Sequence, residues 1–188
     1  MKHEKNNRHG ELQKRNKSEI VIHSKNDFVT LFEPVSMVMK FRHINSIEKA
    51  IKEDSNSCAY YVKSFGFDSV QAIIELHLLA LNESVNVGKP LSEFQIKEIS
   101  IEIITVFYML SIIEIQYVLR KAKRGDYGKF YNSLNMPDIL IWFNTYLDER
   151  TTHFINENTK HIQTDFTMRM EERKLLERHN KLNGENKD

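Results

Sequence analysis

Apolar residues recur at helical spacing through the middle of the chain, between two polar ends. Ser46 to Glu53 carries Ile47, Ala50 and Ile51 on one face, which predicts a short amphipathic helix. SCAYYVKSF then runs to Gly66, which sits where an αL C-cap belongs. Asp68 or Ser69 is placed to cap the next helix, VQAIIELHLLAL, which stops around NESVNVGKP. Ser92 and Gln95 have capping-box spacing and open a helix that meets no Gly or Pro until Gly125. Within it ISIEI alternates as a strand does, yet a run of more than thirty residues is too long for a strand and suits a central helix. Pro137, in a first turn after Asn135, opens a final core helix through WFNTYLDERTTHFI. No internal repeat is visible. The pattern predicts an all-α fold: a single bundle of about four or five helices.

The ends behave differently. Residues 1–17 hold six Lys/Arg, two Asp/Glu and almost no apolar residue except Leu12. Such a segment cannot bury enough surface to offset its ordering entropy, so a disordered basic tail is expected there. Residues 18–160 form the expected helical domain. Residues 161–188 are expected to be a charged C-terminal helix or tail that frays, because Met170, Leu175 and Leu176 are too sparse for a sustained heptad.

Composition narrows the function classes. Net charge is +1, from 27 Lys+Arg against 26 Asp+Glu, so no global field draws the protein to DNA or anionic lipid. Any electrostatic argument is therefore local. Cys58 is the one cysteine, which excludes an intrachain disulfide and a Cys-based zinc site. The N-terminus lacks the apolar stretch of a signal peptide. The longest uncharged run, Ile103 to Ile113, is far short of the ~20 residues of a spanning helix. The expectation is a soluble protein of a reducing cytoplasm, with no membrane partner.

Candidate constellations compete with plainer roles. SCAYYVKSF and VQAIIELHLLAL flank a turn as a helix-turn-helix does. The second helix, however, offers leucines and isoleucines where base readout needs polar side chains. Glu149, His153 and Glu157 line one helical face at i, i+4, i+8, a spacing that suits a divalent ion but supplies no further ligand. A metal-dependent enzyme is therefore the weakest reading. His77 lies among leucines and is expected at the core edge, bonded to backbone; His43 and His161 have no partner at ligand spacing. Glu102 and Glu114, on one continuous helix, would stand about 120° and about 18 Å apart, too far for a paired acid and base. Each is expected at the bundle's edge, paired with Lys or Arg from another helix. Cys58 and His77 give no assignable nucleophile and base. Neither G-x-x-x-x-G-K-S/T nor G-x-G-x-x-G occurs. Trp142, Phe143, Tyr146 and Phe154 share one wide helical face, with Trp142 as a core anchor. A non-enzymatic protein without cofactor or metal is expected.

Residues 120–131, RKAKRGDYGKFY, concentrate the remaining signal. Arg120, Lys121, Lys123, Arg124 and Lys129 sit against one acid, Asp126, with Gly125, Gly128, Tyr127 and Tyr131 interleaved. Cations beside aromatic rings suit phosphate contact. Equally, cations in a last helical turn satisfy orphan carbonyls and the dipole, Gly125 ends the helix, and Gly128 allows a φ > 0 conformation or a close approach while the tyrosines pack. Solvent projection of the cations favours the first; their pairing with Glu102, Glu114 or Asp148 favours the second.

Around this segment the chain resembles short, uncharacterised helical proteins of bacterial phages and mobile elements. The resemblance rests on Phe65-Gly66, Asn82, Tyr108 to Leu110 with Glu114, the G-x-Y-G-x-x-Y run from Gly125 to Tyr131, and Glu149-Arg150, and covers about residues 59–155. The family tends to have Asp where this chain has Asn135; either residue can cap a helix. The resemblance implies no defined activity. Its setting implies an accessory protein that works in DNA replication or on another protein of the element. The expected partner is another protein, with oligomers open, and DNA or RNA is met weakly through the basic corner. The alternative is a protein-only adaptor or oligomeric subunit whose corner is structural.

Overall fold

A computed structural model describes residues 22–53, 55–128 and 133–184. The expected N-terminal tail lies outside the described residues. Every regular element among them is a helix: α1 Lys25–Phe32, α2 Pro34–Lys40, α3 Ile47–Lys52, α4 Cys58–Phe65, α5 Phe67–Ser84, α6 Glu93–Val106, α7 Ile112–Arg124 and α8 Met136–Gly184. The all-α class holds, but eight helices replace the four or five expected. None of them is long and apolar enough to cross a membrane.

Part of the excess lies before residue 46. Ser24 caps α1 through a reciprocal box: its hydroxyl accepts from the Asp27 N–H and the Asp27 carboxylate accepts from the Ser24 N–H. Pro34 then starts α2, since a residue without an N–H fits a first turn but not a helix interior. Phe28 and Phe32 reach the core, where their rings meet Tyr61. Between α4 and α5 a single residue makes the corner. Gly66 is at φ 86°, ψ 154°, a positive φ with an extended ψ, in place of the expected αL cap. It ends one helix and begins the next, so Asp68 and Ser69 lie within the first turn of α5. Ser69 instead donates to the Phe65 carbonyl at 2.7 Å.

The larger correction falls on the expected helix from Ser92 to Gly125. Its start is as expected, with the Ser92–Gln95 capping box in place. It ends at Val106, and α7 begins after a turn at 107–111 with a second reciprocal box, Ser111–Glu114. The cause is tertiary. The first N–H groups of a helix lack intrahelical partners. Those of Cys58 and Ala59 at the start of α4 donate to the carbonyls of Leu110 and Tyr108, at 2.8 and 3.0 Å. In one continuous helix those carbonyls would face N–H groups four residues on, so the turn and the start of α4 satisfy each other.

Helix α5 is central, packing on α1, α2, α4, α6 and α7. The start of α8 lies across α3, α6 and α7 and buries Ile139, Trp142, Phe143 and Tyr146. Phe154 does not join them: 41% exposed, it carries the Arg150 guanidinium over its ring at 5.0 Å. Helix α8 then leaves the body. From Asn158 to Leu176 every residue is exposed, and the helix runs on to Gly184 where fraying was expected. Its 49 residues span about 74 Å at 1.5 Å per residue.

Candidate functional site

The basic corner forms where α7 ends against α8. Gly125, at φ 82° and ψ 16°, is an αL cap: its N–H bonds the Ala122 carbonyl at 2.8 Å, and the Asp126 N–H bonds that of Lys121 at 3.1 Å. This double closure satisfies orphan carbonyls through backbone N–H groups, as the glycine predicts; the cations, expected to share in it, bond elsewhere. Gly128 has φ 108°, but a Cβ there would meet nothing within 4 Å. Of the two expectations for it, the positive φ holds and the close approach does not. Tyr127 stacks on Trp142, with ring centroids 6.2 Å apart and planes within 10°. Lys129 and Tyr131 lie outside the described residues.

Each described cation has an intramolecular partner. The Lys121 ammonium, only 12% exposed, donates to both Glu149 oxygens at 2.8 and 2.7 Å and sits 4.7 Å from the Tyr127 ring centre. Lys123 donates to the Ala80 carbonyl of α5 at 3.1 Å. Arg124 pairs with Asp126 at 2.6 Å. Arg120 reaches the Phe41 carbonyl with Nη1 at 3.4 Å, while its Nε and Nη2 are sealed from water with no partner. Burial, with Arg124 nearby, lowers the pKa of that guanidinium. None of these partners is Glu102, Glu114 or Asp148, the acids expected to compete for the corner.

Beside the corner lies a buried polar node that periodicity alone does not reveal. Glu114, expected at an edge, is buried. One carboxylate oxygen accepts from the Ser111 N–H at 2.9 Å; the other accepts from the Tyr146 hydroxyl at 2.9 Å and from Arg150 Nε at 2.8 Å. The expectation of a basic partner from another helix is met by Arg150. Burial and the adjacent carboxylate raise the Tyr146 phenol pKa well above its ordinary value. Glu149 and Arg150, neighbours on α8, thus hold α7 through two ion pairs. Ser111-x-x-Glu114 is a capping-box signature, and recognising it would have located both the helix break and the node.

Other candidates resolve into structural roles. Asn82 clamps the loop before α6, accepting from the Leu91 N–H at 2.8 Å and donating to its carbonyl at 3.0 Å. His77 is buried with Nε2 at 2.8 Å from the Phe32 carbonyl, and burial pulls its pKa to about 4. Burial pushes the Cys58 thiol up to about 12, so it is protonated and poorly nucleophilic at neutral pH. In the acid–His ladder, Glu149 is held by Lys121 and Glu157 by Lys160. Among the described residues, no three His, Cys, Asp or Glu side chains converge as a metal site would require. Sequence reasoning missed Lys40 and Arg42, exposed on either side of the Phe41 whose carbonyl Arg120 reaches. The run KFRH was their signal.

Compared with protein-family models, curated proteins and solved structures, the chain matches none.

Proposed function

We propose that this protein is a non-enzymatic interaction module, an adaptor or oligomer-forming subunit, whose basic corner is structural and whose docking element is the projecting part of α8. The observation that carries this reading is the wholly exposed stretch 158–176, which nevertheless bears Ile162, Phe166, Met168, Met170, Leu175 and Leu176. A helix without tertiary packing is marginal in water, and clustered exposed apolar residues mark contact surfaces. The resemblance to phage and mobile-element proteins supplies the setting: an accessory protein that works with another protein of the element. A tagged chain captured from cells carrying it should retain its partners. Changing Ile162, Phe166 and Met170 together to Asp should release them, and an unchanged partner set overturns the reading.

Phosphate binding is the second reading, linking the module to DNA replication. It is supported by Lys40 and Arg42, which bring exposed cations from a second segment beside α7. If the corner binds DNA, replacing Lys121, Lys123 and Arg124 by Ala should lower the log–log salt slope by about 2–3, roughly 0.9 for each phosphate no longer neutralised. The basic tail is common to parent and variant, so the difference isolates the corner. A structural corner gives equal slopes.

A further inference from the structure

We infer that the partner of the projecting helix is a second copy of this chain, crossing it antiparallel about a two-fold axis near Phe166. The inference rests on the reading of α8 as the docking element and names what it docks to.

At 100° per residue, Ile155, Ile162, Phe166 and Met170 fall within about 80° of one another, forming a narrow apolar line along α8. All four are exposed; Phe166 is 65% and Ile162 69% accessible. Beside this line, on one flank, lie His161, Asp165, Arg169 and Glu172. A two-fold interface places the same patch on both copies, so it must complement itself. With the axis near Phe166, the two phenylalanines face each other and Ile162 faces the partner's Met170. On the flank, Asp165 meets the partner's Arg169, and His161 meets the partner's Glu172. Each of these pairs occurs twice.

Direction follows from charge. With the axis at Phe166, residues 153–165 carry one net negative charge and the residues they face, 167–179, one net positive charge, counting His as neutral. Antiparallel overlap sets the negative half against the positive half and opposes the helix dipoles. A parallel pair would set each half beside its own copy, negative beside negative and positive beside positive, and like charges disfavour that arrangement.

The test is sedimentation equilibrium of the full chain over a concentration series. The mass should rise from one chain to two. Phe166→Asp should weaken the association by about tenfold or more, because a charge then occupies the centre of the interface. Asp165→Arg alone and Arg169→Asp alone should each weaken it, and the double variant should return close to the parent. That restoration identifies the antiparallel register. The substituted residues are exposed, so helicity by circular dichroism should be unchanged in every variant. A single-chain mass at all concentrations, a dimer indifferent to Phe166→Asp, or a double swap that restores nothing overturns the inference. A single-chain mass combined with release of captured partners on substitution of α8 would overturn self-association while leaving the docking reading intact.

Discussion

The basic corner and the far part of α8 invert the usual relation between side chain and surroundings. At the corner, some charged groups turn inward while Lys123 and Arg124 stay exposed: Lys121 is nearly covered, Arg120 has two sealed nitrogens, and Glu114 is buried. Along distal α8, isoleucine, phenylalanine, methionine and leucine stand in water. Charge density in a sequence is therefore poor evidence of a charged surface when an acid 28 residues away can neutralise part of it. Sparse apolar residues are likewise poor evidence of a dispensable tail. The corner is held by specific geometry and should be fragile, whereas the described bonds of distal α8 are all local to that helix, and it should tolerate change.

The strongest way to break this contrast is Glu114→Ala. It strands the Arg150 guanidinium, the Tyr146 hydroxyl and the first turn of α7, and should cost about 3–5 kcal/mol in urea unfolding. A loss under about 1 kcal/mol would mean that water readily replaces the carboxylate and that the node is not specific.

Next in size is an effect of pH. His77 is held at about 4 by burial, below the ordinary value of about 6.5, so the unfolded chain takes up the proton first as pH falls. Stability from the neutral ring is complete above pH ~6.5 and is lost as pH falls toward ~4, by on the order of 3 kcal/mol. His77→Gln should be less stable at neutral pH yet lose less between pH 7 and 4.5 than the parent. Parallel losses in the two proteins would show that His77 does not drive the acid response.

Gly128→Val should cost about 1–3 kcal/mol, because φ 108° is hostile to a β-branched residue. Lys123→Ala, which removes one exposed bond to the Ala80 carbonyl, should cost under about 1 kcal/mol. Equal melting temperatures for the Gly128 variant and the parent would remove backbone conformation as the reason for glycine there. The smallest effect is expected on the other side of the comparison. Leu175→Ser, on exposed distal α8 and off the apolar line, should stay within about 0.5 kcal/mol of the parent. A larger loss in dilute protein would mean that this stretch packs against the body.

What could be read from the sequence was local. Ser92 with Gln95, Asn135 before Pro137 and Gly125 after a basic turn each act within a few residues of themselves, and the structure places each accordingly. What could not be read depends on distant partners. Lys121 and Glu149 meet across 28 positions, and the α6–α7 break, though marked locally by Ser111-x-x-Glu114, is held by donors at the start of α4. The short helices α1 and α2 bury only three residues between them, Phe28, Phe32 and Met37, too few to set a clear period. Past residue 157 helix and tail both remain open in the sequence, because Ile162, Phe166 and Met170 are too sparse to decide between them without burial.

The mutual satisfaction of the α4 start and the 107–111 turn has a consequence for how the sequence can change through descent. The boundary between α6 and α7 is specified jointly by two stretches about fifty positions apart in the chain. A proline at residue 59 would remove the donor to Tyr108, and a shift in the turn would strand Cys58 and Ala59. Positions 57–59 and 108–111 therefore form one heritable unit, in which a change on either side is tolerated only if the other side answers it.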